Sequence, residues 1–140
     1  MIKWIAVSGY FDPLHTGHLN YFKAAKKLGH RLVVIVNNDK QAKLKKGTAF
    51  MKQEERLEIV KALKVVDAAI ISLDSDRTVR KTLAYLQPYI FAKGGDSTPD
   101  NVPEKDVCDK LGTKIVYSVG GGKSQSSSWI LKKYLTKNGA

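Results

Sequence analysis

Sulfur is scarce in this chain of 140 residues, which has one cysteine and two methionines. The lone Cys108 excludes an intramolecular disulfide and any cysteine-rich metal site, and it reads as a small residue on a helix. Long apolar runs are missing too. None approaches the roughly 20 residues that a membrane-spanning helix needs, so no membrane partner is expected. The opening Met1-Ile2-Lys3-Trp4 has no signal-peptide layout, and a cytoplasmic protein is expected. Acidic residues are few, 13 against 24 lysines and arginines, for a formal net charge of +11. An excess of that size suits nucleic acid, an anionic membrane or phosphorylated small molecules. The lysines are spread from Lys3 to Lys137, however, and many must serve solvated helix faces. Charge alone supports anionic ligands and does not choose among them. Internal repeats, linkers and composition shifts are also lacking, and the length suits one domain, residues 1–140.

Strands alternating with helices are what the sequence does contain. Ile2 to Val7 is an apolar run that predicts a buried first strand, and Leu19, Phe22, Ala25 and Leu28 mark a first helix that stops at Gly29. Arg31 to Asn37 is β-branched without polar alternation, as a parallel strand covered on both faces requires. A basic loop, Asn38 to Phe50, leads to a helix over Gln53–Leu63. Asp67 to Leu73 is a third strand, Asp76 is placed to cap a third helix, and Tyr89 to Ala92 is a fourth strand. Pro103 opens a helix that ends at Gly112, and Lys114 to Ser118 is a fifth strand. A last helix carries Ile130, Leu131, Tyr134 and Leu135, and the tail Thr136 to Ala140 should fray.

Units of about thirty residues imply right-handed crossovers and an α/β fold, a Rossmann-like open parallel five-stranded sheet with helices on both faces. Ligands in such sheets sit at the carboxyl ends of strands, where the strand order reverses. The chemically informative loops, residues 9–18, 38–47, 94–102 and 120–128, all follow strands. One site on one edge is therefore predicted.

The first of these loops carries most of the information. Gly9 frees the backbone just past the strand, Pro13 fixes the loop, and His15 and His18 stand three residues apart on the opening turn of a helix. The N–H groups and positive dipole end of that helix favour an anion, and Gly17 leaves room between the imidazoles. The stretch Gly9-Tyr10-Phe11-Asp12-Pro13-Leu14-His15-Thr16-Gly17-His18 reads as a polyphosphate cradle. It resembles the HxGH signature of the nucleotidyltransferase superfamily, which includes cytidylyltransferases, small adenylyltransferases and the catalytic domains of class I aminoacyl-tRNA synthetases.

That resemblance implies roles for particular residues. His15, His18 and Lys46 would be catalytic, the imidazoles stabilising charge on the triphosphate as a nucleophile displaces pyrophosphate from the α-phosphorus. Gly9, Tyr10, Phe11, Gly17, Gly94 and Asp96 would join the two histidines in holding the nucleotide. Ser126, Ser127 and Ser128, before the last helix, would bind β- and γ-phosphate oxygens after a mobile triglycine, Gly120 to Gly122. Asp12, Lys43, Arg56 and Arg80 would meet the acceptor, with Arg77 a further candidate on the third helix. For Asp12 the alternatives are orienting an imidazole, helping to hold a metal, or a plain turn; for Arg56 they are a phosphate or the neighbouring acids. Lys93-Gly94-Gly95-Asp96 resembles a segment of heptose-phosphate adenylyltransferases. The glycerol-3-phosphate cytidylyltransferases carry an arginine ahead of the serine segment, where this chain has only Lys123.

The implied reaction joins an NTP to a phosphorylated small molecule and releases pyrophosphate, with magnesium carried mainly by the triphosphate. The Lys-Gly-Gly-Asp segment tilts the substrates towards ATP and a sugar phosphate such as heptose 1-phosphate. CTP with glycerol 3-phosphate, and adenylylation of FMN or phosphopantetheine, are the alternatives. No Ser/His/Asp or Cys/His nucleophile set is apparent, so no covalent enzyme intermediate is expected. A homodimer is compatible with the resemblance. A basic nucleic-acid-binding domain is the non-enzymatic alternative, but no basic stretch interleaves aromatics that would stack bases, and no nucleic-acid partner is expected.

Overall fold

The computed structural model describes residues 1–121. The predicted last helix, Trp129, Lys123 and the serine segment Ser126 to Ser128 lie outside the described residues. Five strands, β1 (Trp4–Gly9), β2 (Arg31–Val36), β3 (Ala68–Ile71), β4 (Ile90–Gly94) and β5 (Lys114–Val119), pair in parallel in the order β3-β2-β1-β4-β5. Five helices are described: α1 (Thr16–Lys26), α2 (Asp39–Lys46), α3 (Gln53–Lys61), α4 (Arg80–Leu86) and α5 (Lys105–Leu111).

Alternation along the strands divides the core in two. Ile5 and Val7 of β1, with Leu32, Val34 and Val36 of β2, point to the face covered by α1 and α3 through Phe22, Ala25 and Val60. Ala6, Val33, Ile35 and Phe91 point to the other face, under Val79, Leu83 and Cys108 of the α4–α5 layer. Both faces of β2 are thus buried, which explains its unbroken Leu-Val-Val-Ile-Val run.

Three local expectations shift. The first strand starts at Trp4 and runs through Gly9, paired with Arg31 to Val36. Ile2 is exposed because no partner strand reaches it, and the Lys3 carbonyl instead accepts the His30 and Arg31 N–H groups. The basic stretch after β2 is largely helix α2, closed by Gly47 at φ 87°. The helix that Asp76 was expected to cap begins at Arg80, and Asp76 accepts from Thr78 instead. Buried Asp74 holds the helix start: its carboxylate accepts the Lys81 and Thr82 N–H groups at 2.7 and 3.0 Å.

Sequence order places the site. From β1 the chain moves outward through β2 to β3, then returns to the other side of β1 for β4 and β5. The order reverses between β1 and β4, so a crevice opens at their carboxyl ends, beside the loop that leads into α1.

Candidate active site

That loop is shaped by unusual backbone. Phe11 sits at φ 54°, in the left-handed region, and is followed by a cis Asp12–Pro13 peptide. Phe11 is held there by burial: its ring packs edge-on against His18 at 5.0 Å and against Phe22 at 5.2 Å. A Cβ at Gly9 would lie 2.7 Å from that ring, so only glycine can end the strand here.

His15 is the N-cap of α1, with extended backbone. Its Nδ1 accepts the Gly17 N–H at 3.1 Å, while its own N–H donates to Nδ1 of His18 at 3.0 Å. This is a capping box built from two histidines instead of Ser and Glu. The two rings stack at 3.8 Å between centroids, 28° from parallel. Because each Nδ1 accepts a backbone N–H, each neutral imidazole carries its hydrogen on Nε2. Two N–H donors are thereby fixed side by side at the positive end of a helix, beside the switch-point crevice. The room at Gly17 is taken by the imidazole of His15, since a Cβ there would stand 2.8 Å from its Cε1.

The structure gives Asp12 and Arg56 different work from the acceptor binding implied by the sequence. Asp12 is buried, and its two carboxylate oxygens accept the Phe50 and Met51 N–H groups, both at 2.7 Å. Lys46 Nζ lies 2.7 Å from the same carboxylate. Burial alone would raise this carboxyl's pKa; Lys46 and the two N–H donors outweigh it and hold the pKa below its ordinary value. Asp12 therefore latches residues 50–51 onto the first loop and ties Lys46 beside it. Arg56 is wholly buried. It donates to the carbonyls of Met51, Tyr10 and Asn37 at 2.9, 2.8 and 2.6 Å, and to Asp39 at 2.8 Å. Its acidic partner is Asp39 of α2, not the adjacent Glu54 or Glu55. A guanidinium so enclosed is a brace between the ends of β1 and β2 and helix α2, out of reach of an acceptor phosphate.

The remaining sequence candidates are distributed around the edge. Lys43 is exposed on α2. Arg80 on α4 is ion-paired with Asp106 of α5. Gly94 closes β4, and a Cβ there would press on the Tyr21 ring at 3.1 Å, so this glycine seats α1 against β4. Gly120, at φ 87°, approaches the same residue's backbone, where a Cβ would be 3.0 Å from Cα of Tyr21. Tyr21 in turn donates to the Ala92 carbonyl, and burial raises its phenol's pKa. Asp96 stands exposed on the turn after β4. Among the described residues no group of three or more His, Cys, Asp or Glu side chains is arranged to hold a metal ion.

A buried polar network beneath the site was not anticipated. Gln41 is fully buried, and its Oε1 accepts from Asn37 and from the Asn38 N–H at 3.1 and 3.0 Å. Its Nε2 donates to the carbonyls of Asp76 and Thr78 at 2.7 and 2.8 Å. Asn38 reaches the Ser72 and Asp74 carbonyls. The network fixes α2 and the β3–α4 loop as one rim. An Asn three residues ahead of a Gln, with Gly47 as stop, was its visible signal.

Comparison with known proteins gives a consistent result. The cytidylyltransferase-like family model matches residues 6–121. The chain is 38% identical over 138 residues to the FAD synthase of Thermoplasma volcanium, covering 96% of this chain and 95% of that one. It is 34% identical to the bifunctional protein HldE of Coxiella burnetii, of which the match spans only 27%. A crystal structure described as a lipopolysaccharide core biosynthesis protein from Thermoplasma volcanium superposes with a TM-score of 0.73 at 32% identity, covering 84% of this chain and 97% of that one.

Proposed function

The chain belongs to the cytidylyltransferase-like family and is a nucleotidyltransferase, and from that premise we propose that it transfers the adenylyl group of ATP to FMN. In this reaction a phosphate oxygen of FMN attacks the α-phosphorus, the bond to the bridging oxygen breaks, and pyrophosphate leaves as FAD forms. The observation that carries the reading is the stacked His15–His18 pair, whose Nε2–H groups are fixed by backbone donors at each Nδ1. Such transfer needs in-line positioning and charge neutralisation more than covalent chemistry. The two imidazoles donate to phosphate oxygens as charge moves to the leaving group, and Lys46 adds a cation beside them. Nucleotidyltransferases of this family typically use divalent metals. Both oxygens of Asp12 are already engaged, so magnesium would be carried by the triphosphate itself.

FMN is favoured as acceptor because the FAD synthase match runs the length of both chains. Helix α2 and the segments that follow α2 and β3 also expose large apolar side chains, Leu44, Phe50 and Leu73, suited to a flat ring system. The second reading, a sugar phosphate such as heptose 1-phosphate, is favoured by Lys93-Gly94-Gly95-Asp96 and by the HldE relatives. Pyrophosphate release distinguishes them. ATP, CTP, GTP and UTP are each paired with FMN, heptose 1-phosphate, glycerol 3-phosphate and phosphopantetheine, with magnesium. Release with ATP and FMN alone is expected; release only with a sugar phosphate would replace FMN by that acceptor.

A further inference from the structure

The loop after β1 sends neighbouring side chains to opposite sides. Phe11 turns towards α1, against His18 and Phe22. Tyr10 turns towards α2 and the β3–α4 loop, where Nζ of Lys45 stands 4.3 Å from its ring centroid. The Arg77 guanidinium comes to the same phenol from the other element. The backbone that carries Tyr10 and Arg77 is anchored from behind. Arg56 grips the Tyr10 carbonyl, and Gln41 binds the carbonyls on either side of Arg77, those of Asp76 and Thr78. Arg77 is exposed, and no carboxylate is ion-paired with it among the described residues.

We propose that Tyr10, Lys45 and Arg77 form the subsite for the phosphate monoester of the acceptor, separated by the β1 loop from the histidine pair that holds the triphosphate. The assignment rests on the nucleotidyl-transfer reading above and gives it a direction, with the acceptor entering from the β2–β3 side. A cation over the ring face and a second at the phenol group form a pocket for a dianion rather than a solvated patch. Burial raises the Tyr10 pKa, against the lowering effect of Arg77 and Arg56, so the phenol keeps its hydrogen as a third donor. This set replaces Asp12 and Arg56, which are buried in the framework, and Arg80, which faces Asp106.

The experiment compares FMN with riboflavin, which lacks the phosphate, by fluorescence titration of the wild type and of Arg77→Ala. The wild type should prefer FMN by at least about 10-fold, and the variant should lose most of that preference with ATP affinity changed less than about twofold. Lys45→Ala should act in the same direction, and Tyr10→Phe should cost less than Tyr10→Ala because it keeps the ring. A preference that survives in Arg77→Ala overturns the subsite while leaving the FMN reading in place. Equal losses for ATP and FMN also overturn it, assigning the cations to the triphosphate. Should the wild type ignore FMN yet release pyrophosphate with another phosphate monoester, only the FMN reading fails. The KM of that ester in wild type and Arg77→Ala then decides the subsite by the same criterion. No release with any ester overturns both.

Discussion

At the scale of single residues, the site is made by side chains that serve the backbone with one atom and the crevice with another. His18 accepts from the His15 N–H through Nδ1 and presents Nε2, so its two functions can be separated. His18→Ala should lower the rate of pyrophosphate release at saturating substrates by about 10²- to 10⁴-fold, the range for loss of a positioned donor. Its structural cost should be about 1 kcal/mol, the usual loss for half a cap. Near-normal turnover in the folded variant would remove His18 from the chemistry. Asp12 gives a prediction in pH. Both of its oxygens accept backbone N–H groups, so the amide of Asp12→Asn must turn a donor towards a donor. A loss of about 1 to 3 kcal/mol is expected near pH 7. The folded carboxyl is held below its ordinary pKa, so its contribution is full above the unfolded value near 4 and fades as pH falls through the folded one. Urea midpoints of the two proteins should therefore draw together as the pH falls below the ordinary carboxylate range; a gap that is constant with pH would mean that the ionised form carries none of the stability.

At the scale of elements, Arg56 joins several elements that are separate in the sequence. One guanidinium reaches the β1 loop, the end of β2, helix α2 and residue 51, and the planar fork is what allows it. Arg56→Lys keeps the charge but can satisfy only part of this set, leaving buried carbonyls without donors. A loss on the order of 2 to 4 kcal/mol is expected by urea denaturation, with a raised KM for ATP because Lys46 rides on α2. An unchanged midpoint would show that the brace is dispensable. The same residue shows where reading the sequence stops. Strand β2 and helix α1 were legible because their burial is local, a β-branched run and an apolar stripe. Arg56 was assigned to a phosphate or to Glu54 and Glu55 because its true partners lie 5 to 46 positions away. Helix α2 was read as loop because its buried residues are Gln41 and Ala42, so no apolar stripe marks it. Asp74 escaped for the same reason as Arg56: it caps N–H groups seven and eight residues downstream, beyond any local capping pattern. The histidine loop was legible because glycines, proline and both imidazoles stand together, but the backbone N–H groups that each Nδ1 accepts, from Gly17 and from His15, are set by the folded helix start.

At the scale of the whole molecule, strand order and charge act together. The reversal between β1 and β4 sets the crevice at one sheet edge, where on the proposed reading the histidine pair would take the triphosphate on one side of the β1 loop and Tyr10 the acceptor phosphate on the other. The chain carries a formal +11, spread over many helix faces rather than gathered at the site. Scattered charge of one sign sets up a long-range field that gathers anions before any contact is made, and salt screens it over about 10 Å at 0.1 M. The stacked imidazoles and the buried Asp12–Phe50–Met51 latch act at contact distance and should feel that screening little. Raising KCl from 0.05 to 0.5 M should therefore lower kcat/KM for ATP and for the acceptor by roughly 10-fold, while kcat changes by less than about twofold. Steady-state rates at several salt concentrations, with magnesium held constant, measure both. Parallel falls in kcat and kcat/KM would instead mean that salt disturbs the assembled site, shifting the role of the positive charge from capture to the chemistry at the histidine pair.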